Sequence, residues 1–275
     1  MGNLWKGFKE HRTFRFTSLL VILLIALVVL APVIAPYNPL EAVMKDANQA
    51  PSMAHLFGTD KLGRDVLSRI LYGGAYSLSS VLALVAIIFC VGTFLGLVAG
   101  YFGGLIDTVI MRVADMMISF PGVILAIAIA GIMGGSLVNA MIALTAVTWT
   151  KYARLSRSMV LKIRKRDFVD AAIVSGGTSS HILWTHIMPN VVPILVITAV
   201  SDIGAMMMEL AGLSFLGFGA KPPAPEWGYM LNEGRACMQS APWLMIFPGL
   251  AIFVVVVVFN MLGDSIRDIL DPRNE

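Results

Sequence analysis

Long apolar stretches alternate with short polar ones along the whole chain, and the apolar stretches have the length of bilayer crossings. A helix needs roughly 20 predominantly apolar residues to cross hydrocarbon. Residues 16–35, 77–99, 107–133, 137–160, 191–216 and 242–262 each meet that length. Lipid offers the backbone no hydrogen bonds, so runs of this kind cross as helices. The pattern predicts an all-α integral membrane protein of about six transmembrane helices.

Composition agrees. Of the 275 residues, 57% are hydrophobic and 13% charged, against about 25% charged in soluble domains. The mean hydropathy is +0.81. The net charge of +3 says less than where the charges lie. Lys6, Lys9, Arg12 and Arg15 precede the first apolar run. That run is too long for a cleaved signal peptide, and Pro32 and Pro36 stand where a cleavage site needs small residues. It therefore reads as an uncleaved first span. Apart from Lys45, Lys61, Arg64, Arg69, Lys221 and Arg235, every Lys and Arg falls on the same side as the N-terminus. Cytoplasmic loops carry the excess of positive charge. The layout is then a cytoplasmic N-terminus over 1–15, a transmembrane domain over 16–262 and a cytoplasmic tail over 263–275. Within the domain, 36–76 is extracytoplasmic and 161–190 cytoplasmic.

Local spacing adds detail. Gly92, Gly96 and Gly100 form two overlapping small-xxx-small steps suited to close helix packing. Arg112 and Asp115, at i and i+3, are placed for a mutual pair. Pro121 should kink its span. Asp60, Lys61, Arg64, Asp65 and Arg69 are close enough to form a local ion-pair set. Gly217-Phe218-Gly219 reads as a helix ending. Cys90 lies in an apolar helix and Cys237 in a loop, so no disulfide is expected, and no Cys/His spacing fits zinc. The four histidines read as surface residues. No G-x-x-x-x-G-K-[ST] loop is present to cradle nucleotide phosphates, and no nucleophile–base set indicates an enzyme. Nothing points to nucleic acid.

The most informative stretch is 167–190, DFVDAAIVSGGTSSHILWTHIMPN, which follows the cluster Lys162, Arg164, Lys165 and Arg166. Asp170 suits a helix start, where its carboxylate faces unsatisfied N–H groups. Ala171 and Ala172 leave a face with little bulk, open to close approach by another protein. Gly176-Gly177 permits a turn. A second short helix is expected from about Ser179 to Ile187, and Pro189 fits the first turn of the next span.

Asp170-Ala171-Ala172, Gly176 and Pro189 resemble the EAA loop of bacterial ABC importer permeases. Asp replaces the commoner Glu, and His186 occupies a position that is often aliphatic. Other segments resemble the dipeptide, oligopeptide and nickel branch of that family. Gly58-Thr59-Asp60 with Gly63-Arg64-Asp65 is similar to its GTDxxGRD segment. Arg112, Asp115 and Pro121 fit MRxxDxxxxFP. Glu226-Trp227-Gly228 and the tail GDSIRDILDP also match. The resemblance implies the type I ABC importer permease architecture in a bacterial inner membrane. It further implies a second homologous permease as heterodimer partner, two ABC ATPases, and an extracytoplasmic solute-binding protein. ATP and Mg would be held by the ATPases, with no cofactor on this chain and no metal site assignable.

Asp202 and Glu209 fall inside the fifth span, seven residues apart and on one helical face. A charge at the bilayer centre costs about 2.5–3.5 kcal/mol on insertion scales, so it normally faces a cavity or a partner. Either these acids pair with a basic side chain while Met206, Met207 and Met208 fill the core, or Asp202, Met206 and Glu209 line the pathway. The run DIGxMM from Asp202 looks like the nickel branch. The expected function is half the pathway of an ATP-driven importer, for nickel or a metal chelate or for di- or oligopeptides, with a lean to nickel. The alternative is an ion-coupled secondary transporter or channel using Asp202 and Glu209, which would have no reason to carry the 167–190 loop.

Overall fold

The structure, a computed structural model, describes residues 12–270. The expected basic residues Lys6 and Lys9 and the end of the tail lie outside them. Among the described residues the chain is helical, with one isolated antiparallel bridge between Thr59 and Asp65. The helices are α1 (Arg12–Val29), α2 (Ala31–Ile34), α3 (Val66–Phe102), α4 (Gly104–Ile118), α5 (Gly122–Met133), α6 (Leu137–Ile163), α7 (Asp167–Val174), α8 (Ser179–Ile182), α9 (Met188–Phe215), α10 (Trp227–Gly234) and α11 (Trp243–Leu270). A π-turn over Leu183–Ile187 joins α8 to α9.

Four stretches are long and apolar enough to cross a membrane: α1, α3, Ser179–Phe215 and Trp243–Ile269. The expected third span differs. It is not one kinked helix but α4 and α5, set at 92° to each other. Pro121 explains the break, because it lacks an N–H and clashes with the preceding turn. Its carbonyl instead starts the next helix by accepting from the Leu125 N–H at 3.1 Å. The expected fourth span, α6, has the length, at 27 residues. Lys151, Arg154, Arg157 and Lys162 in its second half keep it from being apolar throughout. The second span also runs further than expected, since α3 has 37 residues, or about 55 Å.

The chain divides into two compact units. The first holds Met1–Ala83, Ala130–Ile142 and Val200–Glu275. Within it α9 packs on α11 where glycine on each helix faces a polar side chain of the other. A Cβ on Gly204 would lie 2.6 Å from Asn260 Oδ1, and one on Gly263 would lie 2.4 Å from Ser201 Oγ. α9 ends where Gly217 takes a φ of 92°, with the Phe218 N–H donating to the Leu213 carbonyl at 2.9 Å. The expected helix ending is therefore observed, with glycine supplying the left-handed residue.

The second unit holds Leu84–Ile129 and Ala143–Ala199. Here the glycine stripe of α3 lies directly against α6. A Cβ on Gly92 would come within 2.5 Å of the Trp149 carbonyl oxygen, one on Gly96 within 2.3 Å of that of Ala153, and one on Gly100 within 2.8 Å of Val160 Cβ. Ala114 of α4 packs with Trp149 and Ala153 of α6 in the same core. Without a hydrophobic drive between helices in lipid, such close backbone approach is a main source of association.

This packing gives a direct comparison. Gly96→Leu would force a branched side chain into the Ala153 backbone and should destabilise by about 1–3 kcal/mol or more. Gly212 has open space around it, so Gly212→Ala should instead stabilise by about 0.5–1 kcal/mol. Thermal unfolding in detergent, followed by tryptophan fluorescence, reads both. Equal melting of Gly96→Leu and the parent chain would refute the α3–α6 contact.

Candidate functional site

The 167–190 loop starts as α7, three residues ahead of the expected Asp170. Asp167 and Asp170 both lie in the first turn, where the helix dipole favours negative charge. α7 stops at a glycine turn. The Gly177 N–H donates to the Ala172 carbonyl and the Gly176 N–H to that of Ile173, each at 3.0 Å. Gly176 has a φ of 81°. This pairing of bonds with a left-handed glycine is the Schellman ending. Thr178 then caps α8, its hydroxyl accepting from the His181 N–H at 3.4 Å. The second short helix does not end before Pro189. It passes through the π-turn into α9, where Pro189 is the second residue and exposed.

Asp170 and Ala171 are exposed and Ala172 half-buried. Val169, Ile182, Leu183 and Ile187 are buried and anchor the loop. The outward side is more apolar than the sequence reading supposed. Val174 is 87% exposed, and Phe168, Ile173 and Trp184 are exposed with it. Their hydrophobicity was legible, but not which of them face out.

A second cluster sits in the first unit, around the GTDxxGRD segment. Asp60 Oδ1 accepts from the Leu62 and Arg64 N–H groups at 2.8 and 3.0 Å, folding the loop back on itself. Its Oδ2 accepts from Arg64 Nε at 2.6 Å and Arg69 Nη1 at 2.5 Å. Both arginines also reach Glu233 of α10, at 2.9 and 2.7 Å. Asp65 caps α3 through the Ser68 N–H at 2.8 Å and bonds His55 Nδ1 at 2.9 Å. Gly58 and Gly63 hold the positive φ values of 74° and 72° that this folded loop needs. Lys61 is exposed, and Glu233 holds the place in the ion set that the local spacing gives to Lys61. Arg69 is 1% exposed. Burial opposes the charge of Arg64, but Asp60 and Glu233 outweigh it and leave that guanidinium harder to deprotonate than usual.

Beside this cluster Glu226 caps α10. Its carboxylate accepts from the Gly228 and Tyr229 N–H groups, both at 2.8 Å. Burial pushes its proton affinity up, and those bonds offset it only in part. The Trp227 indole N–H donates to the Ile70 carbonyl at 2.9 Å, fixing α10 on α3.

In α4, Asp115 pairs with Arg154 of α6 at 2.5 Å rather than with Arg112, and Arg112 is exposed. Asp107 takes Arg157 bidentately, both bonds at 2.5 Å. The pairing was hidden because the partners lie 39 and 50 residues apart. In α9, Asp202 and Glu209 are both half-buried and neither is a free carboxylate. Met206 is 5% exposed, while Met208 is exposed. Among the described residues no three His, Cys, Asp or Glu side chains are grouped as a metal site.

Residues 92–275 match the family described as binding-protein-dependent transport system inner membrane component. Residues 1–51 match the N-terminal TM domain of oligopeptide transport permease C. The chain is 40% identical to the dipeptide transport system permease protein DppC of Alkalihalophilus pseudofirmus, over 98% of this chain and 88% of that protein. It is 42% identical to the glutathione transport system permease protein GsiD of Pectobacterium atrosepticum, over 98% of this chain and 90% of that protein. A chain of the MetNI methionine ABC transporter in an inward-facing conformation superposes with a TM-score of 0.58 at 18% identity, covering 74% of this chain and 96% of its own. At that identity the likeness speaks for the fold alone.

The buried ion set predicts a large penalty for half-removal. Glu233→Gln leaves Arg64 and Arg69 facing a single carboxylate, and breaking a buried pair in this way costs about 3–5 kcal/mol. Thermal unfolding should show that loss, whereas Lys61→Gln should melt as the parent does. A Glu233→Gln chain of unchanged stability would show that the set is solvated.

Proposed function

The chain belongs to the family of inner membrane components of binding-protein-dependent transport systems, and from that membership we propose that it supplies half of the translocation pathway for short peptides. It is an ABC importer permease subunit, not an enzyme. A second, homologous permease supplies the other half, and two ATPases carry ATP and Mg. A solute-binding protein delivers the cargo from outside. Both termini and the 167–190 loop face the cytoplasm, in keeping with the positive charge on that side.

The observation that carries this reading is the loop. Its Schellman turn at Gly176 presents Ala171 and the exposed Val174 on one short helix, a surface of low bulk and apolar character suited to seating in a groove of another protein. An ion-coupled carrier has no use for it. Peptide cargo is favoured over nickel because the relatives quoted, 40–42% identical along 98% of the chain, are named for dipeptide and glutathione transport. The lean toward nickel rested on the short run from Asp202 alone. Asp202 and Glu209, about 10 Å apart along α9, would draw the cationic amino terminus of a peptide.

Two experiments test this. Ala171→Glu places a charge on an exposed face and should leave insertion intact while cutting peptide uptake at least about tenfold, a loss of about 1.4 kcal/mol of coupling. Gly176→Val, strained at positive φ, should act likewise. Co-purification of the ATPases should fall with uptake. Full uptake and full co-purification in both variants would remove the loop from this role. Asp202→Asn should lower uptake of a free dipeptide more than that of its N-acetylated form. Equal effects on the two would detach Asp202 from amino-terminus recognition.

A further inference from the structure

His181 and His186 have no part in the reading above, yet the fold brings them together. Residues five apart on an α-helix point about 140° away from each other. Here the π-turn intervenes, with the Met188 N–H donating to the Leu183 carbonyl. The wider i→i+5 turn brings such positions nearer to one face than α-helical spacing does. The two imidazole centroids lie 5.8 Å apart with their planes at 84°. The Thr185 hydroxyl sits 3.4 Å from His181 Nδ1, so the other ring nitrogen, Nε2, is the one not engaged by it. His181 is exposed and His186 half-buried, so the pair is open to solvent.

The spacing suits a metal ion. An ion bonded to one nitrogen of each ring at about 2.1 Å sets the ring centroids about 5–6 Å apart. We propose that His181 and His186 together bind one late first-row divalent cation across the π-turn. Imidazole suits Zn2+, Ni2+ and Cu2+ in particular. With two protein ligands the remaining positions belong to water, so the ion exchanges. Once bound, it staples the π-turn, because relaxing that turn to regular α-helix would swing His186 away from His181. The ion is an effector held at the loop and not cargo, and the site does not depend on what the permease carries.

The test reads binding directly. The untagged full-length chain in lipid nanodiscs is titrated with Zn2+ against a fluorescent chelator. One Zn2+ per chain is expected. His181→Ala and His186→Gln should each weaken it by at least about tenfold, the lower bound seen even when outer-shell partners of a metal ligand are lost. His55→Ala should leave it unchanged. Zn2+ should also slow amide exchange over residues 183–188 in the parent chain and not in the two variants. No saturable binding, binding indifferent to both variants, dependence on His55, or unchanged exchange on binding would each overturn the site.

Discussion

Hydrocarbon offers no hydrogen bonds, and most of this structure follows from that one fact. Each apolar run must close its own backbone bonds, so the described residues fold as helices. Where a helix is interrupted, local groups take over the freed positions. The Pro121 carbonyl starts α5, and the two glycines after α7 cover its last carbonyls. The same lack of a polar solvent removes the hydrophobic drive between helices. Contact must then come from shape, which is why Gly92, Gly96 and Gly100 let α3 settle onto the backbone of α6.

Charge is managed by the same rule. Asp60, Arg64, Arg69 and Glu233 are all buried or nearly so, and each carboxylate oxygen that faces the arginines is used. Such a set adds little net stability compared with an apolar core, but it tolerates no missing member. It ties the loop ahead of α3 to α10, elements 164 or more residues apart in sequence. The Asp115–Arg154 pair is about half exposed on both sides, so it contributes at most about 1 kcal/mol. The two classes of pair look alike in sequence and differ only in what surrounds them.

Much of this was legible beforehand because period and length act locally. The apolar runs located four of the long helices, the glycine spacing marked the close-packing face of α3 though not its partner, and Gly176-Gly177 located the turn. What the sequence could not show depends on distant neighbours. Glu233 has no local mark that would tie it to Arg64. Arg154 outcompetes Arg112 for Asp115 only because α6 lies beside α4. A proline predicts a bend, but not that the bend reaches 92°. Met206 shares a helix with Asp202 and Glu209, but its burial is set by packing against distant neighbours. The π-turn likewise has no composition signature, so the meeting of His181 and His186 was invisible at α-helical spacing.

The π-turn also bears on how the proposed loop would act at a distance. From Ser179 to Phe215 the chain is one continuous helical run of 37 residues, about 55 Å at the α-helical rise. A helix that keeps its bonds moves as a rod, so within the second unit a displacement of α8 is carried into the first turns of α9. Two places interrupt that stiffness: the π-turn at Leu183–Ile187 and Pro193, which cannot donate to the ladder. Both lie in the loop-side part of the run, ahead of the acids. Any give on the loop side is therefore concentrated in about three turns of helix, and rigidity there sets how much of a push on Ala171 and Val174 would reach the residues of α9 that follow Pro193.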